Sequence, residues 1–305
     1  MRVLAIETAT PCAGCALWDE GGPVASFMLT GRQRHAEVLM PAIDDLCRGA
    51  GWSVGDLTGV VVDRGPGLFT GLRVGLATAR AIAMARGIPA AGVTSLEALA
   101  YPHRRRAGLL APIVDARRGQ VFWALYETGG PSVKERRPPA VAEPEKLTGV
   151  LAALGGELAG LGGTVLAVGD GAWRYREELV AAGVEVGGVG EMWPSALAVA
   201  ELGWLRLLES PAPESPAPES PVSVDLASGG SRGGRRLPEP LYLRPADVRI
   251  GWEEVGGRVG GPGPPSDQTP EPAGQPRRPA GQRAPAGASG GGAAASAPEE
   301  PKLAP

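Results

Sequence analysis

The stretch from Thr58 to Ala91 constrains the fold of this chain more than any other. It opens with a short β-branched apolar run that ends at Asp63, as is typical of a buried strand. The run Arg64-Gly65-Pro66-Gly67 then breaks the strand, because glycine accepts positive φ and proline lacks an amide hydrogen. An amphipathic helix follows, with Thr70 as its predicted N-cap and Gly87 at its C-terminal end. This order of strand, glycine loop, helix and next strand predicts an α/β unit.

Two features of the predicted helix have alternative explanations. Its N-terminal N–H groups point at the glycine loop and suit an anion, but the glycines are also explained by a tight strand-to-helix turn. Its apolar face consists mostly of small residues, so it either packs closely on the sheet or accepts a helix from another protein. The residues of this face are Leu72, Gly75, Leu76, Ala79, Ile82 and Ala83.

Composition limits the classes of protein to consider. A chain of 305 residues with 43% hydrophobic residues forms one large or two modest domains with a sizeable core. The net charge of −3 does not indicate a protein that binds nucleic acid or an anionic membrane through its overall charge. Three cysteines make no disulfide framework, and the C-x-x-C at Cys12 to Cys15 lacks a second pair for zinc. Without a recognisable signal peptide or spanning apolar run, we expect a cytoplasmic protein with no membrane partner.

The N-terminal segment predicts a hairpin whose first turn carries polar residues. A strand over Arg2 to Ile6 leads into Glu7, Thr8 and Thr10, and further strands follow on each side of Gly21-Gly22. An acid followed by threonine hydroxyls suits phosphates and a metal, although an exposed turn with locally bonded threonines is an equal alternative. An amphipathic helix is then predicted over His35 to Gly49, with a face of Val38, Leu39, Ala42, Ile43 and Leu46.

A second hairpin, Leu109 to Asp115 and Gln120 to Tyr126, marks the start of a second domain. Further along, the strand Thr164 to Val168 ends in a loop containing Gly169, Asp170 and Gly171, and helices follow. The Pro-Ala-Pro-Glu-Ser repeats after Glu209 cannot bury a core. The predicted organisation is an N-terminal domain (1–106), a second domain (107–208), a Pro-rich linker insert (209–237), a segment that docks back (238–255) and a disordered low-complexity tail (256–305).

Six runs of sequence together resemble the bacterial YeaZ family of glycoprotease-like proteins. They are MRVLAIETAT, RHAEVLMPAIDDL, RGPGLFTGLRVGLATARAIAMARGIPAAGVTSLEALA, IVDARRGQVFWALY, GDGA and LYLRP. The resemblance extends from Met1 to about Val248, apart from the Pro-rich insert, and the run Arg64 to Arg73 is its most specific part. It implies two α/β domains of the actin, sugar-kinase and Hsp70-like (RNase H-like, ASKHA) class with a cleft between them.

The resemblance also implies a function. Members are non-catalytic subunits in tRNA threonylcarbamoyladenosine biosynthesis, which modifies the adenosine next to the anticodon. They support the catalytic subunit TsaD together with the ATPase TsaE, and reach tRNA through the complex. Family members pair through their first two helices, so the resemblance implies a partner interface on the two helix faces given above, which an isolated chain could also use to form a homodimer.

The implied site differs from that of the related catalytic subunit, whose H-x-x-x-H pair binds a metal. The matching positions here are Ser95 and Leu99, so we predict no catalytic residue and no metal site. We assign no cofactor to the chain alone, although ATP or ADP at the complex interface stays open. The candidate phosphate or nucleotide loops are Glu7, Thr8, Thr10, Gly65, Gly67, Thr70, Gly71, Gly169, Asp170 and Gly171.

Two other functional classes stay open. One is an independent ATPase or kinase, for which Asp115 and Asp170 are the candidate metal-activating acids. The other is a metallopeptidase of the glycoprotease type, against which the missing H-x-x-x-H pair and the absence of H-E-x-x-H argue.

Overall fold

The computed structural model describes residues 1–31, 34–159, 163–209 and 237–244. The predicted Pro-rich insert, apart from its two end residues, and the predicted tail lie outside the described residues, as do residues 245–255 of the segment expected to dock back. Within the described parts of the chain, no helix is long and apolar enough to cross a membrane.

The first sheet has five strands in the order β3-β2-β1-β4-β5. Its first three strands form an antiparallel meander, and β4 and β5 then add in parallel on the other side of β1. This confirms both the first hairpin and the strand before the glycine loop. The strands are β1 (Val3–Glu7), β2 (Ala13–Asp19), β3 (Gly22–Leu29), β4 (Gly59–Asp63) and β5 (Ala90–Val93).

Three helices belong to this part of the chain: α1 (His35–Gly49), α2 (Phe69–Arg86) and α3 (Ser95–Ala100). The predicted N-cap of α2 is wrong. Leu68, not Thr70, occupies that position in an extended conformation, and its carbonyl accepts the first helical bond from the Leu72 amide at 3.0 Å. Gly87 ends α2 in the left-handed conformation, with φ +62°, as predicted.

The second sheet repeats the order of the first, β10-β9-β6-β7-β8, with an antiparallel meander followed by parallel strands. This confirms the second hairpin and the expected class of two α/β halves, each built on a mixed sheet. The elements are β6 (Gly108–Arg117), β7 (Gln120–Thr128), β8 (Lys134–Ala142), α4 (Pro144–Ala159), β9 (Val165–Val168), α5 (Asp170–Arg174), α6 (Arg176–Ala181), β10 (Glu185–Val186) and α7 (Ala196–Glu209).

The two halves exchange helices, whereas the predicted boundaries at 106 and 208 follow sequence order. From α7, Val199 and Ala200 are buried against the first sheet in one core cluster with Val61 of β4. From α3, Leu96 and Leu99 are buried against the second sheet. Sequence order predicts that α3 packs on the first sheet and α7 on the second. In the structure, the apolar face of α7 packs on the first sheet, and Leu96 and Leu99 of α3 pack on the second.

The described part of the C-terminal segment lies across both halves. The Leu241 amide donates to the Arg64 carbonyl at 2.8 Å, and the Arg80 guanidinium donates to the Pro238 carbonyl. Further along, Arg244 donates to the Ala116 carbonyl at 2.8 Å. Residues 237–244 therefore pack on the glycine loop, on α2 and on the end of β6.

The contact of Gly203 with Val61 tests the helix exchange. A Cβ at Gly203 overlaps all the side-chain carbons of Val61, which is β-branched and has little freedom to move. We expect Gly203→Ala to lower the free energy of unfolding by about 1–3 kcal/mol, as overpacking does, when measured by urea denaturation.

Gly149→Ala in α4 is the matched control. A Cβ there meets no atom within 4 Å, so the change removes only the entropic cost of a helical glycine and stabilises by roughly 0.5–1 kcal/mol. Equal effects of the two substitutions would show that α7 does not pack on the first sheet.

Candidate functional site

The turn after β1 is closed by its own acid. Oε1 of Glu7 accepts the amides of Ala9 at 2.9 Å and Thr10 at 3.2 Å, and also the hydroxyl of Thr10 at 3.2 Å. These groups are fully buried. The Glu7 carboxyl group therefore holds the turn in shape from inside the protein.

The glycine loop packs directly on this turn. A Cβ at Gly67 overlaps the Ala9 carbonyl, and a Cβ at Gly71 overlaps the Thr8 carbonyl, so both glycines permit the approach of one backbone to another. The Leu68 amide donates to the Ala9 carbonyl at 2.6 Å. The hydroxyl of Thr8 donates to the Gly71 carbonyl at 2.8 Å. The structure thus brings the two predicted loops together, with both threonine hydroxyls of the turn already bonded within the protein.

The other loop residues have separate roles. Gly65 has a φ of +91°, and its amide donates to Oδ1 of Asp63 at 2.8 Å. Thr70 is exposed beside a cavity of about 140 Å³ that His35 and Gly71 also line. Of the predicted loop residues on this sheet, Thr70 is the exposed one.

His35 fastens the start of α1 to the same turn. Its Nε2 lies 2.9 Å from the Thr10 carbonyl and 3.1 Å from the Cys12 carbonyl, so this nitrogen carries the hydrogen. The side chain is buried. We therefore assign it a structural role.

Glu7 and Asp63 form a pair of buried carboxyls that sequence reasoning missed. They end β1 and β4, which are adjacent and parallel. Among the described residues, Oε2 of Glu7 and Oδ2 of Asp63 have no hydrogen-bond partner. Ser95 donates its hydroxyl to Oδ1 of Asp63 at 2.8 Å. The sequence signal that could have revealed this pair is that each acid ends a predicted strand.

Burial dominates the electrostatics of this pair. It raises the pKa of Asp63 to about 7, against lowering by the Gly65 amide and the Ser95 hydroxyl. The pKa of Glu7 is raised well above its ordinary value, first by burial and then by the charge of Asp63. The pair thus favours protonated carboxyls over ionised ones.

The second sheet carries a corresponding pair, Asp115 and Asp170. Oδ1 of Asp170 accepts the Asp115 amide at 3.0 Å, and burial raises the pKa of Asp170 to about 6. Here arginines supply opposite charge: Arg117 and Arg174 contact Oδ2 of Asp115 at 3.2 and 3.0 Å. The two pairs therefore differ in charge balance.

The glycines of the second candidate loop also serve packing. A Cβ at Gly169, where φ is +105°, overlaps the Ile113 carbonyl, and a Cβ at Gly171 comes within 2.8 Å of the Ile113 side chain. These glycines let the start of α5 lie against β6. Among the described residues, no hydrogen bond or ion pair joins this loop to the turn after β1.

The positions that match the metal pair of the related catalytic subunit are part of the interior. Ser95 is fully buried and bonded to Asp63, and Leu99 is buried among apolar side chains. Across the described residues, no group of three or more His, Cys, Asp or Glu side chains is placed to hold a metal ion.

Most residues of the helix faces expected to meet a partner are buried in the chain by itself. Both α1 and α2 use their apolar faces to cover the first sheet. Leu39, Ala42, Ile43, Leu72, Gly75, Leu76, Ala79, Ile82 and Ala83 are buried, whereas Val38 and Leu46 are half-buried.

The outward sides of the same helices carry other apolar residues. Met40 of α1 is 48% exposed and Met84 of α2 is 57% exposed. Ala77 and Ala81 are exposed on α2 and precede Met84 at helical spacing. We call Met40, Ala77, Ala81 and Met84 the outer stripe.

Comparison with known proteins decides the family. The TsaB protein of tRNA threonylcarbamoyladenosine biosynthesis from Escherichia coli is 34% identical over 160 residues, covering 52% of this chain and 69% of that protein. The chain belongs to the TsaB family. The TsaB protein from Bacillus subtilis is 39% identical over 127 residues, which cover 42% of this chain and 56% of that protein.

Two further findings agree with TsaB membership. The YeaZ structure from Pseudomonas aeruginosa superposes with a TM-score of 0.58 at 27% identity, covering 68% of this chain and 92% of that one. Residues 30–165 match a family model described as TsaD: tRNA N6-adenosine threonylcarbamoyltransferase. This chain and the TsaD enzymes thus share sequence features, and the chain has a role in tRNA threonylcarbamoyladenosine biosynthesis.

The buried acid pair predicts a dependence of stability on pH. Because folding raises the pKa of Asp63 from its ordinary 3.8 to about 7, the folded state holds a proton that the unfolded state has lost between these values. The stability from this proton is present below about pH 4 and is lost as pH rises towards 7. Between pH 4.5 and 7.5, we expect the free energy of unfolding to fall less in Asp63→Asn than in wild type, by on the order of 2 kcal/mol. Urea denaturation at several pH values measures this difference.

Asp45→Asn provides the matched control, since the Asp45 side chain is 72% exposed and its replacement removes the same charge. It should follow the wild-type pH profile. If Asp63→Asn also follows that profile, the carboxyl of Asp63 is not the source of the pH dependence.

Proposed function

We propose that this chain is a non-catalytic subunit of a tRNA threonylcarbamoyladenosine-modifying complex. In this proposal it acts in the cytoplasm and binds a TsaD-type catalytic subunit. The observation that carries the proposal is the replacement of the related enzyme's histidine pair by Ser95 and Leu99. Both side chains are buried, Ser95 in a hydrogen bond to Asp63 and Leu99 among apolar residues. A subunit of this family without that pair supports the reaction by binding the subunit that has it.

The packing of the candidate phosphate loops favours this role over an independent ATPase. Thr8 and Thr10 bond to Gly71 and Glu7, and Gly67 and Gly71 hold the turn where an anion would otherwise lie. We therefore place any ATP or ADP at the interface of the complex. In this scheme the ATPase TsaE acts on the assembled complex and tRNA reaches the site through it.

The outer stripe is the proposed surface for the catalytic subunit. Its members are apolar, exposed and carried by α1 and α2. Alanines on one side of a helix allow close approach of another helix, and the two methionines adapt to irregular surfaces. An isolated chain could use the same surface to pair with a second copy.

Ala81→Arg tests this surface. Ala81 is exposed, so an arginine there leaves the fold intact but places a bulky charge where helices would pack. We expect wild type to elute with the cognate TsaD in size-exclusion chromatography and Ala81→Arg to bind at least tenfold more weakly in a quantitative pull-down. Ala79 is fully buried and is unsuitable, because arginine there would unfold the domain.

Ala153→Arg is the matched control, since Ala153 is exposed on α4 of the other half. It should bind TsaD as wild type does. Equal binding by Ala81→Arg would remove the outer stripe from the interface, and no binding by wild type would contradict the subunit proposal. ATP hydrolysis by the chain alone, abolished by Glu7→Ala, would favour an independent ATPase.

A further inference from the structure

A cavity of about 510 Å³ lies at the junction of the two halves. Arg64, which follows β4, lines it together with Arg206 of α7 and residues of β7 and β8. Leu241 and Leu243, from the segment that lies across both halves, also line it. Its volume falls within the range of small-molecule sites, roughly 300–1,000 Å³. We call this space the junction cavity.

Most polar groups of the junction cavity are bonded to one another. The Arg206 guanidinium donates to both carboxylate oxygens of Glu97, to Oε1 at 2.6 Å, and also to the Gly92 carbonyl. The Thr94 hydroxyl accepts the Glu97 amide at 3.2 Å and donates to the Tyr126 oxygen. These groups are therefore occupied by the protein itself.

Arg64 and Glu135 are different. Among the described residues, neither the guanidinium of Arg64 nor the carboxylate of Glu135 has a hydrogen bond or ion pair. The Arg64 backbone is held on both sides, since its amide donates to the Val93 carbonyl at 2.9 Å and its carbonyl accepts the Leu241 amide at 2.8 Å. A Cβ at Gly92 would lie 3.0 Å from Cδ of Arg64, so the side-chain stem lies against β5. The cavity thus offers one cation and one anion, from opposite halves.

These charges select the class of ligand. A guanidinium binds a carboxylate through two parallel N–H bonds. The carboxylates of Glu97 and Glu135 oppose a dianion such as phosphate, whereas Glu135 attracts an ammonium group. The rest of the lining is apolar and suits an apolar side chain. Its residues are Val133, Pro138, Pro139, Leu241 and Leu243.

We propose that the junction cavity binds a free amino acid with an apolar side chain. The ligand's carboxylate accepts from the Arg64 guanidinium, its ammonium group faces the Glu135 carboxylate, and its side chain packs against Leu241 and Leu243. Such binding needs no contact with TsaD and so goes beyond the proposed function.

Three related probes separate the two charged contacts. L-Phenylalanine carries the carboxylate, the ammonium group and an apolar side chain, 3-phenylpropanoate lacks the ammonium group, and 2-phenylethylamine lacks the carboxylate. Isothermal titration calorimetry of the full chain measures each affinity. We expect 2-phenylethylamine to bind at least about tenfold more weakly than L-phenylalanine, because a bidentate contact is lost. For 3-phenylpropanoate we expect a loss of about threefold, since Glu135 is exposed.

Two variants assign these contacts to residues. Arg64→Gln should weaken L-phenylalanine and 3-phenylpropanoate alike, by about tenfold. Glu135→Gln should weaken L-phenylalanine by about threefold but leave 3-phenylpropanoate unchanged or bound more tightly, because a repulsion is removed. A general disturbance of the cavity would weaken both probes together. Arg137→Gln is the matched control, since Arg137 is exposed on β8 and does not line the cavity. Thermal unfolding verifies each fold.

Several outcomes would overturn this inference. They are no binding of either L-phenylalanine or L-leucine to wild type, equal affinities for Arg64→Gln and the Arg137→Gln control, and equal losses for both probes in Glu135→Gln. Binding of inorganic phosphate more tightly than either amino acid would assign the cavity to phosphate instead. If wild type binds L-phenylalanine through Arg64 and Glu135 but fails to bind TsaD, the inference stands and the proposed function fails.

Discussion

The structure depends on the exchange of helices between two halves of equal topology. Each half has an antiparallel meander extended by parallel strands, and its sheet needs cover on both faces. The cover for one face of the first sheet is α7, the last helix among the described residues, and Leu96 and Leu99 of α3 pack on the second sheet. The close approach of Gly203 to Val61 fixes α7 in place. Because each half completes the core of the other, the loops at the strand ends are held at fixed positions.

The duplicated topology places acids at corresponding positions in the two halves, but the groups that surround these acids differ. Glu7 and Asp63 end neighbouring parallel strands of the first sheet, where burial raises the pKa of each carboxyl. One oxygen of each has no hydrogen-bond partner within the described parts of the chain. At the corresponding edge of the second sheet, Asp115 is contacted by two arginines. The first edge is therefore closed by packing, whereas at the second edge two exposed arginines pair with a buried acid.

Local patterns predicted most of the elements but not their partners. Turn chemistry and periodicity are local properties, so four features were predictable from the sequence. They are the hairpin at Gly21-Gly22, the hairpin after Asp115, the strand that ends at Asp63 and the helix end at Gly87. The direction in which Ala79 and Ile43 face was not predictable, since a small apolar face suits either a sheet or a partner and only tertiary packing distinguishes them. Thr70 illustrates the same limit: the helix begins earlier because Leu68 bonds to Ala9, a residue far away in sequence.

The placement of α7 has a consequence for synthesis of the protein. The first sheet is complete in sequence by Val93, yet the helix that covers Val3, Ala5 and Val61 ends at Glu209. During translation, more than one hundred residues must therefore emerge before this apolar face can be buried. Contacts between such distant segments form slowly, and uncovered apolar surface promotes association with other chains in the meantime. The arrangement that joins the two halves in the finished molecule thus delays completion of the first half until the second has been made.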